Sequence, residues 1–347
     1  MLRKINLLKV GLVVIAIFLF ILALQVLKEG AGGLRPLLER FDVAGGINSL
    51  GFGWLGAHLV LSGSPVAATA LTLFAARVTT DVETFAMIAG SRMEAAFVVL
   101  LVGFTYYLRG RGGVTSVFVG VLDFLVTATV YLPALVMGYL MLVSGWLDGF
   151  HLSLPGQASD LMALTYDPLV ERMTSYLPDW GSFLLGLGLL LVSFNIFDRA
   201  LPELDPEHSR FREIPRIIYR PAVMFLFGSA VTMIVPSVSV SLGLLVPFSA
   251  RGYVRRENII PYIMGANVAT FSDTLLASLL VNAPQAFAIV FLQAASVGVM
   301  SLIVILLFYG PYQHLMERAL AWLTNDQRRL GLFVAVILIA PLVLMLL

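Results

Sequence analysis

Seven stretches of the chain are apolar over the roughly 20 residues that a helix needs to cross a membrane. They cover residues 6–27, 84–108, 114–147, 181–198, 258–281, 284–309 and 330–347. Two more apolar stretches, 49–76 and 221–250, are interrupted by Gly, Pro and Ser. The pattern predicts an all-α polytopic membrane protein in which each interrupted stretch forms a broken or re-entrant helical hairpin. We expect residues 6–27 to be retained as the first span, because no small-x-small cleavage site follows them.

The chain repeats itself with an offset of 175 positions. The matched positions include Gly53, Ser62, Ser64 and Gly90, which recur in the same order as Gly228, Ser237, Ser239 and Gly265. Matched Gly and Ser are stronger evidence of duplication than matched Leu or Val in so apolar a chain. We therefore predict two transmembrane repeats, residues 1–147 and 181–309. An extracytoplasmic loop, 148–180, is expected between them, and a cytoplasmic loop with a final transmembrane helix, 310–347, after them.

Composition and charge narrow the class of protein. Only 12% of the 347 residues are charged and 59% are hydrophobic, whereas roughly 25% of the residues of soluble domains are charged. The net charge of +1 gives no sign of a nucleic-acid partner. The chain has no Cys, four scattered His and no nucleophile-elbow or phosphate-loop motif, so we expect neither an enzyme nor a cofactor.

The distribution of arginine predicts the topology. Five arginines lie between residues 199 and 220, whereas residues 148–179 are acidic apart from Arg172. Because cytoplasmic loops are rich in Arg and Lys, we expect the first segment and the N-terminus in the cytoplasm of a plasma (inner) membrane protein. The number of membrane crossings agrees with this topology only if each interrupted stretch leaves the membrane on the side where it entered. Each repeat then crosses an odd number of times, which predicts two inverted-topology repeats.

The interrupted stretches carry hydroxyl groups where helices break. Ser237, Ser239 and Ser241 are spaced by two, so they share a face only if the chain is unwound there. Pro236 favours such unwinding, because it removes a backbone donor. Ser62 and Ser64 repeat the arrangement. The alternative is that these serines hydrogen-bond to carbonyl groups of their own helix.

A second polar group follows in the span 258–281. Asn267, Thr270 and Thr274 lie at i, i+3 and i+7, on one helical face that contacts either a solute or a neighbouring helix. Asp273 lies off this face. A carboxylate at membrane depth is a functional candidate, although near the outer end of the span it could instead be solvated.

Arg92 takes the position of Asn267 in the first repeat. An arginine in mid-membrane costs roughly 3 kcal/mol on insertion scales, so it needs a partner. Two interpretations stay open. The guanidinium group binds an anionic substrate, as it does phosphate in other proteins, or it forms a permanent ion pair with Asp123 of the next span.

These motifs resemble the sodium/phosphate cotransporter family, the type II transporters and their bacterial relatives. The segments PSVSVS at 236–241 and IMGANVATFSDT at 263–274 are similar to the family's serine run and Gly-Ala-Asn motif. The resemblance implies that Ser237, Ser239, Asn267 and Thr270 belong to the sodium and phosphate site. Ser62 and Ser64 would then be their mirror images. Leu61 and Pro236 stand where the family has glutamine, and Arg92 stands where it has asparagine in the first repeat.

We therefore expect a sodium-coupled symporter of inorganic phosphate, or of a similar small anion, that works by alternating access. The expected partners are the small anion, sodium as the coupling ion and the lipid bilayer. The expected substrate-binding residues are Ser62, Ser64, Arg92, Ser237, Ser239, Asn267 and Thr270, and the expected ion-binding residues are Ser241, Asp273 and Thr274. The alternatives are a passive anion channel or phosphate exporter without sodium coupling, and an assembly or sensing subunit with a vestigial site.

Overall fold

A computed structural model of the protein describes residues 7–108, 115–146, 149–150, 152, 155–200, 220–235, 238–243 and 256–347. All regular elements in these ranges are helical. The first half contains α1 (Leu7–Gly30), α2 (Arg35–Arg40), α3 (Gly46–Val60), α4 (Gly63–Ala75), α5 (Asp81–Ser91), α6 (Glu94–Leu108), α7 (Thr115–Val143) and α8 (Gly156–Thr174). The second half contains α9 (Asp179–Ala200), α10 (Pro221–Ile234), α11 (Val238–Gly243), α12 (Arg256–Ala269), α13 (Phe271–Leu280), α14 (Ala286–Leu307), α15 (Tyr309–Thr324) and α16 (Gln327–Leu346).

Seven helical segments in the described part of the chain are long and apolar enough to cross a membrane. They are Leu8–Arg40, Asp81–Phe104, Val117–Val143, Asp179–Ala200, Asn258–Leu280, Ala286–Leu307 and Gln327–Leu346. These segments correspond one for one to the seven stretches predicted from hydropathy. The prediction of an all-α, multi-pass membrane protein is thereby confirmed.

In the first span, a 3-10 helix (Ala31–Leu34) separates α1 from α2. Two further spans are not continuous α-helices, which the hydropathy pattern did not reveal. The span that begins at Asp81 is broken at Arg92 and Met93, between α5 and α6. The span that begins at Asn258 is interrupted at Thr270, between α12 and α13, although the Thr270 N–H still donates to the Ala266 carbonyl at 3.0 Å. Each break therefore lies beside a residue that the sequence had marked as a candidate for the site.

The first interrupted stretch folds back on itself. Leu61 ends α3 with a left-handed backbone (φ 55°), and Ser62 is extended before α4 begins. A Cβ atom on Gly56 would lie 3.5 Å from the side chain of Val66. In one straight helix, residues ten positions apart would be separated by about 15 Å. Helices α3 and α4 therefore form a hairpin whose tip is Leu61–Ser62. The tip packs on the break between α5 and α6, because Gly63 contacts the carbonyl group of Ser91.

The second interrupted stretch is broken at the matching place. Helix α10 ends at Ile234, Val235 is extended, and α11 begins at Val238. A break in 221–250 is therefore present, but the unwound chain expected around Ser239 and Ser241 is wrong, because Val238–Gly243 is helical. The predicted return of the chain at 244–250 lies outside the described residues.

The same close helix–helix interface is built twice. A Cβ atom on Gly53 would overlap the carbonyl oxygen of Met87, and one on Gly90 would overlap that of Leu50, so α3 and α5 touch backbone to backbone. Helices α10 and α12 repeat these contacts, Gly228 with Tyr262 and Gly265 with Phe225. All four residues of the second interface follow those of the first by 175 positions. Lipid tails give apolar side chains little reason to associate, so close backbone packing at glycine is a main source of contact energy here.

The two halves also contact each other crosswise. Helix α4 packs on α13, and α11 packs on α6, so each interrupted stretch touches the broken span of the other half. Helix α1 packs along α9, and α8 covers α1 from outside through Tyr166 and Val170. The region expected as the loop 148–180 thus contains a helix of 19 residues.

Replacing the interface glycine Gly265 with alanine should destabilise the protein by about 1–3 kcal/mol, because the added methyl group collides with the Phe225 backbone. Thermal unfolding of the detergent-solubilised protein measures the loss. Gly188→Ala in α9 is the matched control, since a Cβ atom there meets nothing within 4 Å. Equal unfolding temperatures for the two variants would contradict the close packing of α10 on α12.

Candidate functional site

A small polar cavity lies where the hairpin tip, the two broken spans, α7 and α11 meet. Its volume is about 20 Å³, which is room for roughly one water molecule. The lining residues are Ser62, Gly63, Ser64, Ser91, Arg92, Glu94, Ala95, Tyr131, Val238, Asn267 and Thr270. Elements from both halves of the chain therefore enclose one polar space.

Five of the seven residues that the sequence proposed for substrate binding line this cavity. They are Ser62, Ser64, Arg92, Asn267 and Thr270. The sixth, Ser237, and the side chain of the seventh, Ser239, lie outside the described residues. Their neighbour Val238 does line the cavity, so α11 reaches the site with its first residue.

Arg92 is the charged centre of the site and is 5% exposed. One terminal nitrogen of its guanidinium group donates to the hydroxyl groups of Ser64 at 3.4 Å and Thr270 at 3.2 Å. The other donates to Asp273 Oδ1 at 3.4 Å and to the hydroxyl group of Thr274. The guanidinium group also lies over the Phe271 ring, 5.0 Å from its centroid. Arg92 thus joins the hairpin tip of the first half to the second half of the other broken span.

The ion-pair partner proposed for Arg92 was wrong. The guanidinium group pairs with Asp273, whose side chain is 10% exposed, and not with Asp123. The alternative that Asp273 is solvated is also wrong. One donor of Arg92, its Nε, is buried without a hydrogen-bond partner among the described residues. That donor is still available to a ligand.

The three residues proposed for ion binding lie outside the lining of the cavity. Asp273 and Thr274 lie behind Arg92 and hold its guanidinium group. Ser241 is fully buried and hydrogen-bonds to Thr232 at 2.9 Å and to the hydroxyl group of Tyr262 at 2.8 Å. These contacts tie α10, α11 and α12 together.

Asn267 connects the cavity to α7. Its side-chain amide donates to Thr127 Oγ1 at 2.8 Å, and Thr127 donates to Asp123 Oδ1 at 3.3 Å. The hydroxyl group of Tyr131 donates to the backbone carbonyl of Asn267 at 3.1 Å. Sequence reasoning missed Thr127 and Tyr131. The signal was available, because Asp123, Thr127 and Tyr131 lie at i, i+4 and i+8 on one helical face.

Comparison with known proteins does not identify a family. No protein-family model, no curated protein and no solved structure matches this chain. The resemblance to sodium/phosphate cotransporters therefore remains a prediction from the motifs.

Replacing Asp273 with asparagine should destabilise the protein by about 3–5 kcal/mol, because Arg92 is then buried without a compensating charge. Thermal unfolding measures the loss. The double variant Arg92→Met/Asp273→Leu should recover much of the stability, since it removes both charges at once. Asp326→Asn is the control. Asp326 pairs with Arg329 at 3.7 Å, and the two side chains are 43% and 42% exposed. Exposed ion pairs of this kind contribute about 0–1 kcal/mol to stability. Equal losses for Asp273→Asn and Asp326→Asn would contradict a buried ion pair.

Proposed function

We propose that the protein is a secondary active transporter that carries a small oxyanion of the phosphate class together with sodium, by alternating access. The observation that carries the proposal is the polar cavity enclosed by broken helices from both halves of the chain. Broken helices that meet inside a membrane protein leave backbone groups unpaired, and such sites are typical of ion and solute binding in transporters.

An inverted repeat is part of the proposal. It is supported by the α3–α5 interface that recurs as α10–α12 with an offset of 175 positions, and by the crosswise packing of α4 and α11. The arginine distribution supports opposite orientations of the two copies, with the N-terminus in the cytoplasm of a plasma membrane. Rocking of one copy against the other would then open the cavity to each side in turn.

The polar groups around the cavity suit an oxyanion. Arg92 offers its unpartnered Nε, and Ser62, Ser64 and Thr270 offer hydroxyl groups. Helix α4, of 13 residues, begins at Gly63 in the cavity wall. The first N–H groups of a helix have no partner within the helix, and its N-terminus favours negative charge.

The charge balance supports coupling to a cation. Asp273 already compensates the charge of Arg92, and a second acid, Glu94, lines the cavity, so an anion that enters the site alone would find no free positive charge. Sodium that enters with the anion would neutralise it. Asp273 Oδ2 is buried without a hydrogen-bond partner among the described residues, so it is a candidate sodium ligand. The choice of sodium follows the resemblance stated above.

The small size of the cavity supports a carrier and not an open pore. A space for roughly one water molecule cannot hold phosphate, so this conformation is closed and has to open for the solute to bind. Opening must rearrange the hydrogen bonds of Arg92, because they join the two halves of the chain.

Uptake of labelled phosphate into proteoliposomes tests the proposal. We expect uptake that requires an inward sodium gradient and that ceases when sodium is replaced by choline. Uptake no greater than that of protein-free liposomes would overturn the proposal. Sodium-independent phosphate current in a planar bilayer, far above carrier turnover, would support the passive channel instead.

Replacing Ser64 with alanine removes a hydroxyl group from the cavity together with its hydrogen bond from Arg92. Hydrogen bonds to charged groups contribute about 1.5–3 kcal/mol, so phosphate uptake should fall about ten- to hundredfold. Ser193→Ala is the matched control. Ser193 is also buried, but it bonds to the backbone of Ala16 between α9 and α1, away from the cavity. Equal uptake by both variants would remove Ser64 from the solute site.

A further inference from the structure

Asp123 is a buried carboxylic acid that the proposed transport site does not use. It lies in the first third of α7, and its residue is 0% exposed. Oδ1 accepts a hydrogen bond from Thr127, and Oδ2 has no partner among the described residues. Because Arg92 pairs with Asp273, the cation that the sequence suggested for Asp123 is engaged elsewhere.

No positively charged group in the described part of the chain forms an ion pair with Asp123. The titratable groups on the elements around it have other positions or partners. Arg92 and Glu94 lie at the break between α5 and α6, and Tyr131 of α7 binds the backbone of Asn267.

The titratable side chains on neighbouring helices hydrogen-bond to other residues. His58 bonds to Trp54, Tyr262 bonds to Ser241, and Tyr312 bonds to Thr129. Helix α14 faces α7 with no charged side chain.

A carboxylate without a cation is very unfavourable at this depth of burial. A bound proton would remove this cost. A metal ion would need a shell of several oxygen atoms, and Thr127 supplies the only oxygen hydrogen-bonded to Asp123 among the described residues. The proton belongs on Oδ2, because Oδ1 already accepts from Thr127.

Asp123 is connected to the solute cavity by two hydrogen bonds. Thr127 links it to the amide of Asn267, which lines the cavity. Any movement of α12 that opens the cavity must therefore change the surroundings of Asp123. Water that entered through the opening would stabilise the ionised form and release the proton.

We propose that Asp123 is a proton-binding site that is protonated in this closed conformation and exchanges its proton with water when the cavity opens. Protonation of Asp123 in the closed conformation does not depend on the proposed function. Coupling of that proton to solute movement rests on the proposed function. The site would make the transporter proton-coupled in addition to any sodium coupling.

Infrared difference spectroscopy of the purified protein tests the protonation without any transport assay. At neutral pH, the wild-type protein should show a protonated-carboxyl C=O stretch band that is absent in Asp123→Asn. Asparagine has nearly the shape of the protonated acid, so the variant should fold. Asp326→Asn, which changes an exposed carboxylate, should keep the band. A spectrum of Asp123→Asn that retains the whole band would overturn the proposal.

A second variant does not depend on the folding of Asp123→Asn. Thr127→Val removes the hydrogen bond to Oδ1 while Asp123 remains, so the C=O band should move to higher frequency. A band that Thr127→Val leaves unmoved would belong to another carboxyl group and would contradict the assignment.

Proteoliposome uptake separates the coupling from the proposed function. With sodium equal on both sides, an acidic outside should stimulate phosphate uptake by the wild-type protein, and Asp123→Asn should lose that stimulation. Sodium-driven uptake that is indifferent to the pH gradient would overturn proton coupling and leave the proposed function standing. A carboxyl band without any phosphate uptake would overturn the proposed function and leave the proton site standing.

Discussion

An arginine can be buried in a membrane protein only where enough acceptors and a negative charge converge on its guanidinium group. Arg92 meets this condition with residues that no single helix could supply. Ser64 comes from the hairpin of the first half, while Thr270, Asp273 and Thr274 come from the broken span of the second. The position of Arg92 therefore requires the hairpin tip, both breaks and the approach of the two halves at the same time.

The glycine interfaces allow this convergence. Gly53 and Gly90 bring α3 and α5 into backbone contact, and Gly228 and Gly265 do the same for α10 and α12. A side chain at any of these positions would push the two helices of its pair apart, and at Gly53 or Gly90 it would move the hairpin away from the broken span. The hydroxyl groups at the tip would then no longer reach Arg92. Close packing of two helix pairs is thus the structural support for the polar site between them.

Asp273 and Asp123 differ in chemistry because their neighbours differ. Asp273 forms an ion pair with the guanidinium group of Arg92. Among the described residues, the carboxyl group of Asp123 has only the hydroxyl group of Thr127 as a partner, which cannot compensate a full charge. One acid therefore positions Arg92, and the other is suited to bind and release a proton. In the proposed function a cation has to accompany the anion, and both acids are candidate sites for such a cation.

Hydropathy and motif spacing alone determined the helical class, the seven spans, the interruption of the stretches 49–76 and 221–250, and the repeat that marked Gly53 and Gly90. They also gathered five residues that line one cavity, because helix breakers and polar residues in an apolar chain are rare and costly. Only the tertiary structure decided that Arg92 pairs with Asp273, 181 positions away, and not with Asp123. It alone placed Thr127 and Tyr131 at the site and broke two spans beside Arg92 and at Thr270. Periodicity shows which residues share a face of one helix, but the partner across from that face depends on how distant helices pack.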